Sequence, residues 1–484
     1  MMYIPKGVEE ASHILSISTD FLIYYDPDID GGVSGEYWRR VLTKFQKPFN
    51  YYINSDRQHG LKLSDDNLKT LKGKTIILVD AGMSKAEIEK VTSFGIHIIN
   101  IDHHEIDEEE FVYYENKDTG AKGVIINNQY PFEPEEFRFL SGAGVGYYVI
   151  KALFPKLFGE EEKALVGLTL LSDIRAIDSD LAREFLHCTY NFTSPYIEYL
   201  IKATQPPVDY GFGVQTFDRN FIDYTFSPKI NALFRLNKGY EAIDIFAGRF
   251  TNFSDLDVYR RIQKGVVDSI EENLQGTSLS NLEFRFVDSD VKLPYEVNIT
   301  NFIGVACSQV AGKGKTAILF VREDGKIKRG SLRGLCDDVD YLSLFRQYGF
   351  DARGHKNACG ILSLDESKLN LEELNEKIRV LEDGYIDRKY TGKVLEVNNL
   401  DFFTMSKNCA IADINNYVRD FSRYYIMYTG KNIEAEPLPS GKAVMYKVDG
   451  QKVMCFEQGV DLSNGLILPI KERGKYINFY LKRY

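Results

Sequence analysis

The chain has 484 residues, which predicts about three domains at roughly 150 residues each. Its apolar content of 44% and charged content of 27% are those of a globular protein, and no run of about 18 apolar residues offers a membrane span. A formal net charge of −11 argues against non-specific coating of nucleic acid, yet it is compatible with a local basic channel.

The first residues, Met1 to Ser12, lack the basic region and apolar core of a secretory signal. The six cysteines are scattered without a CxxC pair, so a zinc knuckle is not expected and a reduced, cytoplasmic setting is.

Phe21 to Tyr25 is a short β-prone run that ends in Asp26-Pro27-Asp28-Ile29-Asp30-Gly31-Gly32. Ser34 then reads as the cap of a helix that continues through Trp38 and Leu42, giving strand, loop and helix. Three acids at alternate positions after a buried strand suggest a metal site. A solvated turn is the plainer alternative, and a calcium loop is excluded because no glutamate closes it. The next strand, Thr75 to Val79, ends at Asp80-Ala81-Gly82, and Ser84 to Phe94 reads as a helix. A third run, Ile96 to Ile101, ends in Asp102-His103-His104. Paired histidines can be mere polar residues at a strand end, but carboxylate and imidazole together also suit a metal ion. Strands alternating with helices predict a parallel α/β sheet whose ligand site lies at the carboxyl ends of its strands, where these acids can converge.

From Leu140 the pattern turns helical. Leu140-Ser141-Gly142-Ala143-Gly144-Val145-Gly146 opens a small-residue helix, suited to close packing or to the approach of a phosphate. Glu160 to Leu171 is an amphipathic helix ending at Ser172-Asp173, where the aspartate is a cap or a further ligand. A helical stretch with Asn231 and Arg235 follows, then a connecting helix near Asp255 to Asn273 with Val258, Ile262, Val266 and Ile270 on one stripe. A smaller α/β domain contains the strand Ala317 to Val321, a basic turn from Lys326 to Arg333, and a small-residue loop, Arg353-Gly354-His355-Lys356-Asn357-Ala358-Cys359-Gly360. Such a loop lets backbone and imidazole close on a phosphate. Helices near Tyr341 to Tyr348 and Leu369 to Leu381 flank it. The last hundred residues are strand-rich, with a hairpin turn at Val448 to Lys452. Their alternating aromatics, with Lys471, Arg473, Lys475, Lys482 and Arg483, suit either a half-buried sheet or a surface for single strands.

Taken together these clusters resemble the DHH phosphoesterase superfamily, and more narrowly RecJ-type single-strand nucleases, over about residues 21–362. Asp26-x-Asp28-x-Asp30-Gly31 is similar to the first motif, Val79-Asp80-Ala81-Gly82 to the second, Asp102-His103-His104 to the third and Ser172-Asp173 to the fourth. Leu140 to Val145 and Pro228-x-Ile230-Asn231-Ala232 with Arg235 resemble RecJ-type segments. Gly330-Ser331-Leu332-Arg333 and Gly354-His355-x-x-Ala358-x-Gly360 resemble motifs of the associated second domain. Departures from the pattern are Arg353, Cys359, Phe234, Lys229 and Gln309, as in a diverged member from a phage or mobile element.

The resemblance implies a parallel-sheet catalytic domain over residues 1–250, a connecting helix over 251–275, an associated substrate-binding domain over 276–385 and a β-rich, OB-like domain over 386–484. It implies two divalent ions, Mn2+ in preference to Mg2+: the first held by Asp26, Asp28 and Asp80, the second by Asp30, Asp80, His103 and Asp173. Asp102 belongs to the same catalytic set, and His104, Asn231, Arg235, Arg333, Gly354 and His355 would contact substrate phosphate. The expected activity is 5′→3′ hydrolysis of single-stranded DNA to mononucleotides by a monomer, in DNA repair, recombination or replication. RNA is a second substrate, and a single-strand-binding protein or helicase a helper. Alternatives are an oligoribonuclease or cyclic-dinucleotide phosphodiesterase, and a non-catalytic replication scaffold.

Overall fold

The computed structural model describes residues 3–54, 60–106, 108–173, 179–204, 217, 221–312, 314–336 and 339–383, together with seven strands beyond them. The chain divides into two compact units, Met1–Gln263 and Lys264–Tyr484. Among the described residues no helix is long and apolar enough to cross a membrane.

The first unit is built on six strands: β1 (Phe21–Tyr25), β2 (Phe49–Ile53), β3 (Thr75–Val79), β4 (His97–Asp102), β5 (Tyr113–Glu115) and β6 (Lys122–Asn127). Their order is β2-β1-β3-β4-β6-β5, parallel throughout except for β5 on β6. β1 and β3 are buried along their whole length, which is why they read as continuous apolar runs. The chain goes from β1 outward to β2 and returns to the other side of β1 as β3. That reversal opens a crevice at the carboxyl ends of β1 and β3, the usual ligand position of such sheets. The weaker patterns conceal the remaining strands: β2 is a half-exposed edge, β5 has three residues, and β6 has no acid at its end.

The helix after β1 begins earlier than its sequence suggests. It spans Ile29–Lys44, and its cap is Asp28, whose carboxylate accepts the Gly31 N–H at 3.0 Å. Ser34 is not a cap but a buried residue in the second turn. Three glycines that look like loop residues are inside this helix because neighbours leave no room for a Cβ. At Gly31 one would lie 2.4 Å from the Asp26 carbonyl oxygen, and at Gly35 it would lie 2.0 Å from the Tyr25 ring.

The second unit contains the mixed sheet β11-β12-β10-β9-β8-β7, formed by β7 (Gln275–Ser278), β8 (Leu282–Asp288), β9 (Thr316–Glu323), β10 (Lys326–Arg333), β11 (Phe350–His355) and β12 (Ala358–Leu364). Two expectations change here. Lys326 to Arg333 is not a turn but strand β10; the turn is Asp324-Gly325, both in the left-handed region at φ 51° and 76°. Arg353 to Gly360 is not a loop but a hairpin, β11 turning at Lys356-Asn357 into β12. Charged and small residues alternate in both segments because one face is open to solvent, and that alternation resembles turn composition. The helix Phe253–Glu272 buries Leu256, Gln263, Val266, Val267 and Ile270, so its inner stripe is rotated from the expected one and Val258 is exposed.

The remaining strands are β13 (Val394–Val397), β14 (Tyr425–Tyr428), β15 (Ile433–Pro437), β16 (Val444–Val448), β17 (Gln451–Cys455), β18 (Gly465–Arg473) and β19 (Tyr476–Arg483). Among the described residues they form one seven-stranded sheet ordered β13-β14-β18-β19-β17-β16-β15. The expected hairpin is present, with Val448 opposite Gln451. Lys475 and the side chains of Lys471, Arg473, Lys482 and Arg483 lie outside the described residues.

Gly35→Ala should destabilise the protein by about 1–3 kcal/mol through the clash with Tyr25. Gly146, in the helix Gly142–Leu153, has nothing within 4 Å of its added Cβ, so Gly146→Ala should be neutral or stabilise by up to about 1 kcal/mol. Urea denaturation of the two variants checks the contrast.

Candidate metal centre

Three parallel strands deliver the acids. Asp26 follows β1 directly, Asp80 follows β3, and Asp102 is the last residue of β4 with His103 and His104 behind it. Because β1, β3 and β4 are adjacent and in parallel register, their carboxyl ends lie side by side. Asp26, Asp30, Asp80, Asp102 and His103 are all 1–2% exposed.

Each side chain is fixed from its own element. Asp30, in the first turn of Ile29–Lys44, accepts the Gly142 and Ala143 N–H groups at 2.6 and 2.9 Å. Those are the free N–H groups at the start of the helix Gly142–Leu153, whose positive dipole end favours a carboxylate. The small residues there thus serve both close approach and anion binding, and the anion is Asp30. A Cβ at Gly142 would lie 2.7 Å from Asp80 Oδ1. Asp80 has φ 57°, a left-handed conformation that aspartate tolerates better than most residues, and its N–H donates to the Ile101 carbonyl at 2.8 Å. Asp173 is the C-cap of the helix Glu160–Ser172.

His103 is the meeting point. Its Nε2 is 3.1 Å from Asp80 Oδ1, 3.5 Å from Asp173 Oδ2 and 3.7 Å from Asp30 Oδ2. Three groups have ligand atoms all within 4.8 Å of one another: Asp26, Asp28 and Asp80; Asp30, His103 and Asp173; and Asp80, His103 and His104. Asp80 belongs to two of them. The carboxylates crowd one another around the His103 ring. Burial, then the charge of Asp28, pushes Asp30 up to about 6, although the Ala143 and Gly142 N–H groups oppose this. Burial, then Asp30 and the other acids, holds Asp80 well above the usual carboxylate range. Asp80 Oδ1 is buried and accepts no hydrogen bond, although His103 Nε2 is close. A cation would relieve both the repulsion and the unmet oxygen, and carboxylate oxygens with one imidazole suit Mn2+ or Mg2+.

Asp102 and His104 form a separate pair. His104 Nδ1 lies 2.7 Å from Asp102 Oδ1. Burial opposes the charge on both groups, yet their mutual attraction outweighs it, helped by Asp26 and Asp173 for His104 and by the His103 and His104 N–H groups for Asp102, which holds Asp102 low and His104 up to about 10. Sequence reasoning missed two supports. Asn127, at the end of β6, donates to the His104 carbonyl at 3.0 Å and to Asp102 Oδ2 at 3.4 Å. Asn100 donates to the Ala81 carbonyl at 2.7 Å and so fixes the turn after Asp80. The signal for Asn127 was present: β6 is another apolar run with a polar residue at its carboxyl end.

The other expected site residues are carried by other elements. Asn231 and Arg235 are on the helix Ser227–Arg235, and Arg235 donates to Gln263 Oε1 at 3.2 Å. In the second unit, Arg333, Ala358 and His355 are register partners across β10, β12 and β11, so the cation and the imidazole share a row and a face. Gly354 has φ 129°, a conformation that needs glycine.

Residues 20–172 match the DHH family, N-terminal domain. The whole chain has the fold of RecJ. It is similar to RecJ in complex with Mn2+ from Thermus thermophilus, with 16% identity and a TM-score of 0.70 over 100% of this chain and 72% of that one. The same protein in complex with Mg2+ gives 15% identity and a TM-score of 0.59 over 100% and 70%. An exonuclease RecJ bound to manganese gives 17% identity and a TM-score of 0.55 over 80% and 96%. No curated protein matches the chain by sequence.

The acid cluster predicts an unusual pH dependence of metal-free stability. A carboxyl with a raised folded pKa stabilises the fold fully below its unfolded value, near 3.9, and loses that contribution as pH rises through its folded value. For Asp30 that window runs from about 4 to about 6, with a loss on the order of 3 kcal/mol. The contribution of His104, raised to about 10, is fully present below 6.5 and does not obscure it. Calorimetric scans in EDTA should therefore show Tm falling from pH 4 to 6, and Mn2+ should restore it at pH 7. Asp80→Asn should raise the metal-free Tm at pH 7 and shrink the Mn2+ gain.

Proposed function

We propose that this protein is a metal-dependent phosphodiesterase, and that its substrate is single-stranded DNA degraded from the 5′ end to mononucleotides. The observation that carries the reading is the pair of close ligand groups Asp26, Asp28, Asp80 and Asp30, His103, Asp173, with Asp80 Oδ1 3.1 Å from His103 Nε2 between them. Asp26, Asp28 and Asp80 would hold one divalent ion; Asp30, Asp80, His103 and Asp173 would hold a second. When bound, such ions make water a stronger nucleophile and offset charge on the reacting phosphate.

The remaining work is done by the chain itself. The helix Gly142–Leu153 keeps Asp30 oriented through its first N–H groups, so that carboxylate need not reorganise during turnover. Asp102 holds the His104 ring through Nδ1, and Asn127 holds the His104 backbone; the charged imidazole contacts a phosphate oxygen. In the second unit, Arg333 and His355 share a face with only Ala358 between them and grip a phosphate. Arg333 is pre-set for this by bonds to Ser308 Oγ at 3.0 Å and Ser331 Oγ at 2.8 Å. The likeness in fold to an exonuclease RecJ supports a polymer over a dinucleotide substrate.

The test is an assay of labelled single strands, duplexes and dinucleotides, each with Mn2+, Mg2+ or EDTA. Single strands should shorten with release of mononucleotides in either metal and remain intact in EDTA. Loss of dinucleotides with long strands untouched would replace the substrate, and no metal-dependent cleavage of any of them would remove the enzymatic reading. Asp80→Ala should lower the rate roughly a thousandfold or more while the fold persists by circular dichroism.

A further inference from the structure

Next to the acid cluster, the first unit has a shallow cavity of about 40 Å³ lined by Pro27, Ile53, Asn54, Phe234, Asn237, Gly239 and Tyr240. Pro27 stands between Asp26 and Asp28 in the chain, so the cavity begins one residue from two acids of the cluster. None of its lining residues is charged, which makes it a poor place for a phosphate. A group that entered it while its phosphate lay at the acids would differ from phosphate in chemistry.

The lining describes that occupant. Ile53 and Phe234 are 6% and 2% exposed and give an apolar floor. Tyr240 is 51% exposed, a large aromatic ring offered to solvent. Its centroid is 5.9 Å from that of Tyr51, which in turn lies 6.3 Å from the buried Tyr25 ring, so Tyr240 is supported from behind. Asn54 and Asn237 add amide groups, and Asn237 is held in the left-handed region at φ 58°. Gly239 is required for the shape, since a Cβ there would lie 2.8 Å from Ile53 Cδ1. A flat group with apolar faces satisfies the ring and the floor together. The volume is too small to enclose such a group, which must lie across the mouth on Tyr240.

We infer that this cavity receives the nucleobase of the nucleotide whose phosphate lies at the acid cluster, with Tyr240 as its stacking platform. The inference rests on the phosphodiesterase reading and adds a base-recognition site to it. Stacking is tolerant of base identity, so the site would favour nucleotides over other phosphate esters rather than one base over another.

Calorimetric titration of the full chain in Mn2+ with thymidine 5′-monophosphate and with 2-deoxyribose 5-phosphate tests it, because the two ligands share the phosphate and differ in the base. The wild type should bind the nucleotide about tenfold more tightly or better. Tyr240→Phe should keep that ratio, and Tyr240→Ala should bring it close to one. Equal affinity for both ligands in the wild type, or an undiminished ratio in Tyr240→Ala, would overturn the inference while leaving the phosphodiesterase reading intact. Binding of neither ligand in Mn2+ would overturn both.

Discussion

The first unit depends on one constraint: several carboxylates are buried together at the carboxyl ends of adjacent strands. Like charges in a low-dielectric pocket repel strongly, and a fold that assembles them must recover that energy elsewhere. Here it comes from the continuous apolar packing of β1, β3 and β4, whose interior positions are almost wholly excluded from solvent. The sheet is the support on which the acids are held in a state they would not choose.

Local devices share the load. The helix dipole and N–H groups of Gly142–Leu153 stabilise Asp30, while His104 stabilises Asp102. Asp80 has neither aid at Oδ1. The cluster is therefore graded, from a carboxylate fully provided for to one left in need. On a merely acidic surface water would treat all the carboxylates alike.

Much of this was legible in the sequence. β1, β3 and β4 each announce themselves as apolar runs closed by an acid, and parallel packing makes their ends converge. Asp28 shows why helix starts are harder: an aspartate caps as well as a serine, and the glycines after it looked like loop until the close approach of Asp26 and Tyr25 explained them. β10 and the β11–β12 hairpin failed for a related reason. Lysines, arginines and glycines on the open face of an antiparallel strand have the same composition as a turn, and only the partner strands tell them apart. Asn100 was missed because its value lies in a contact that spacing does not encode.

The bond between Asp30 and the start of the helix Gly142–Leu153 joins positions 112 residues apart. Every strand of the first sheet lies before that helix in the chain. The sheet can therefore be complete in sequence while its acids are not yet anchored. A chain emerging from the ribosome would have all its ligand strands before it had the helix that orients Asp30. Site formation is in this sense a late event in synthesis, and it sets a lower bound on any fragment able to reproduce the centre.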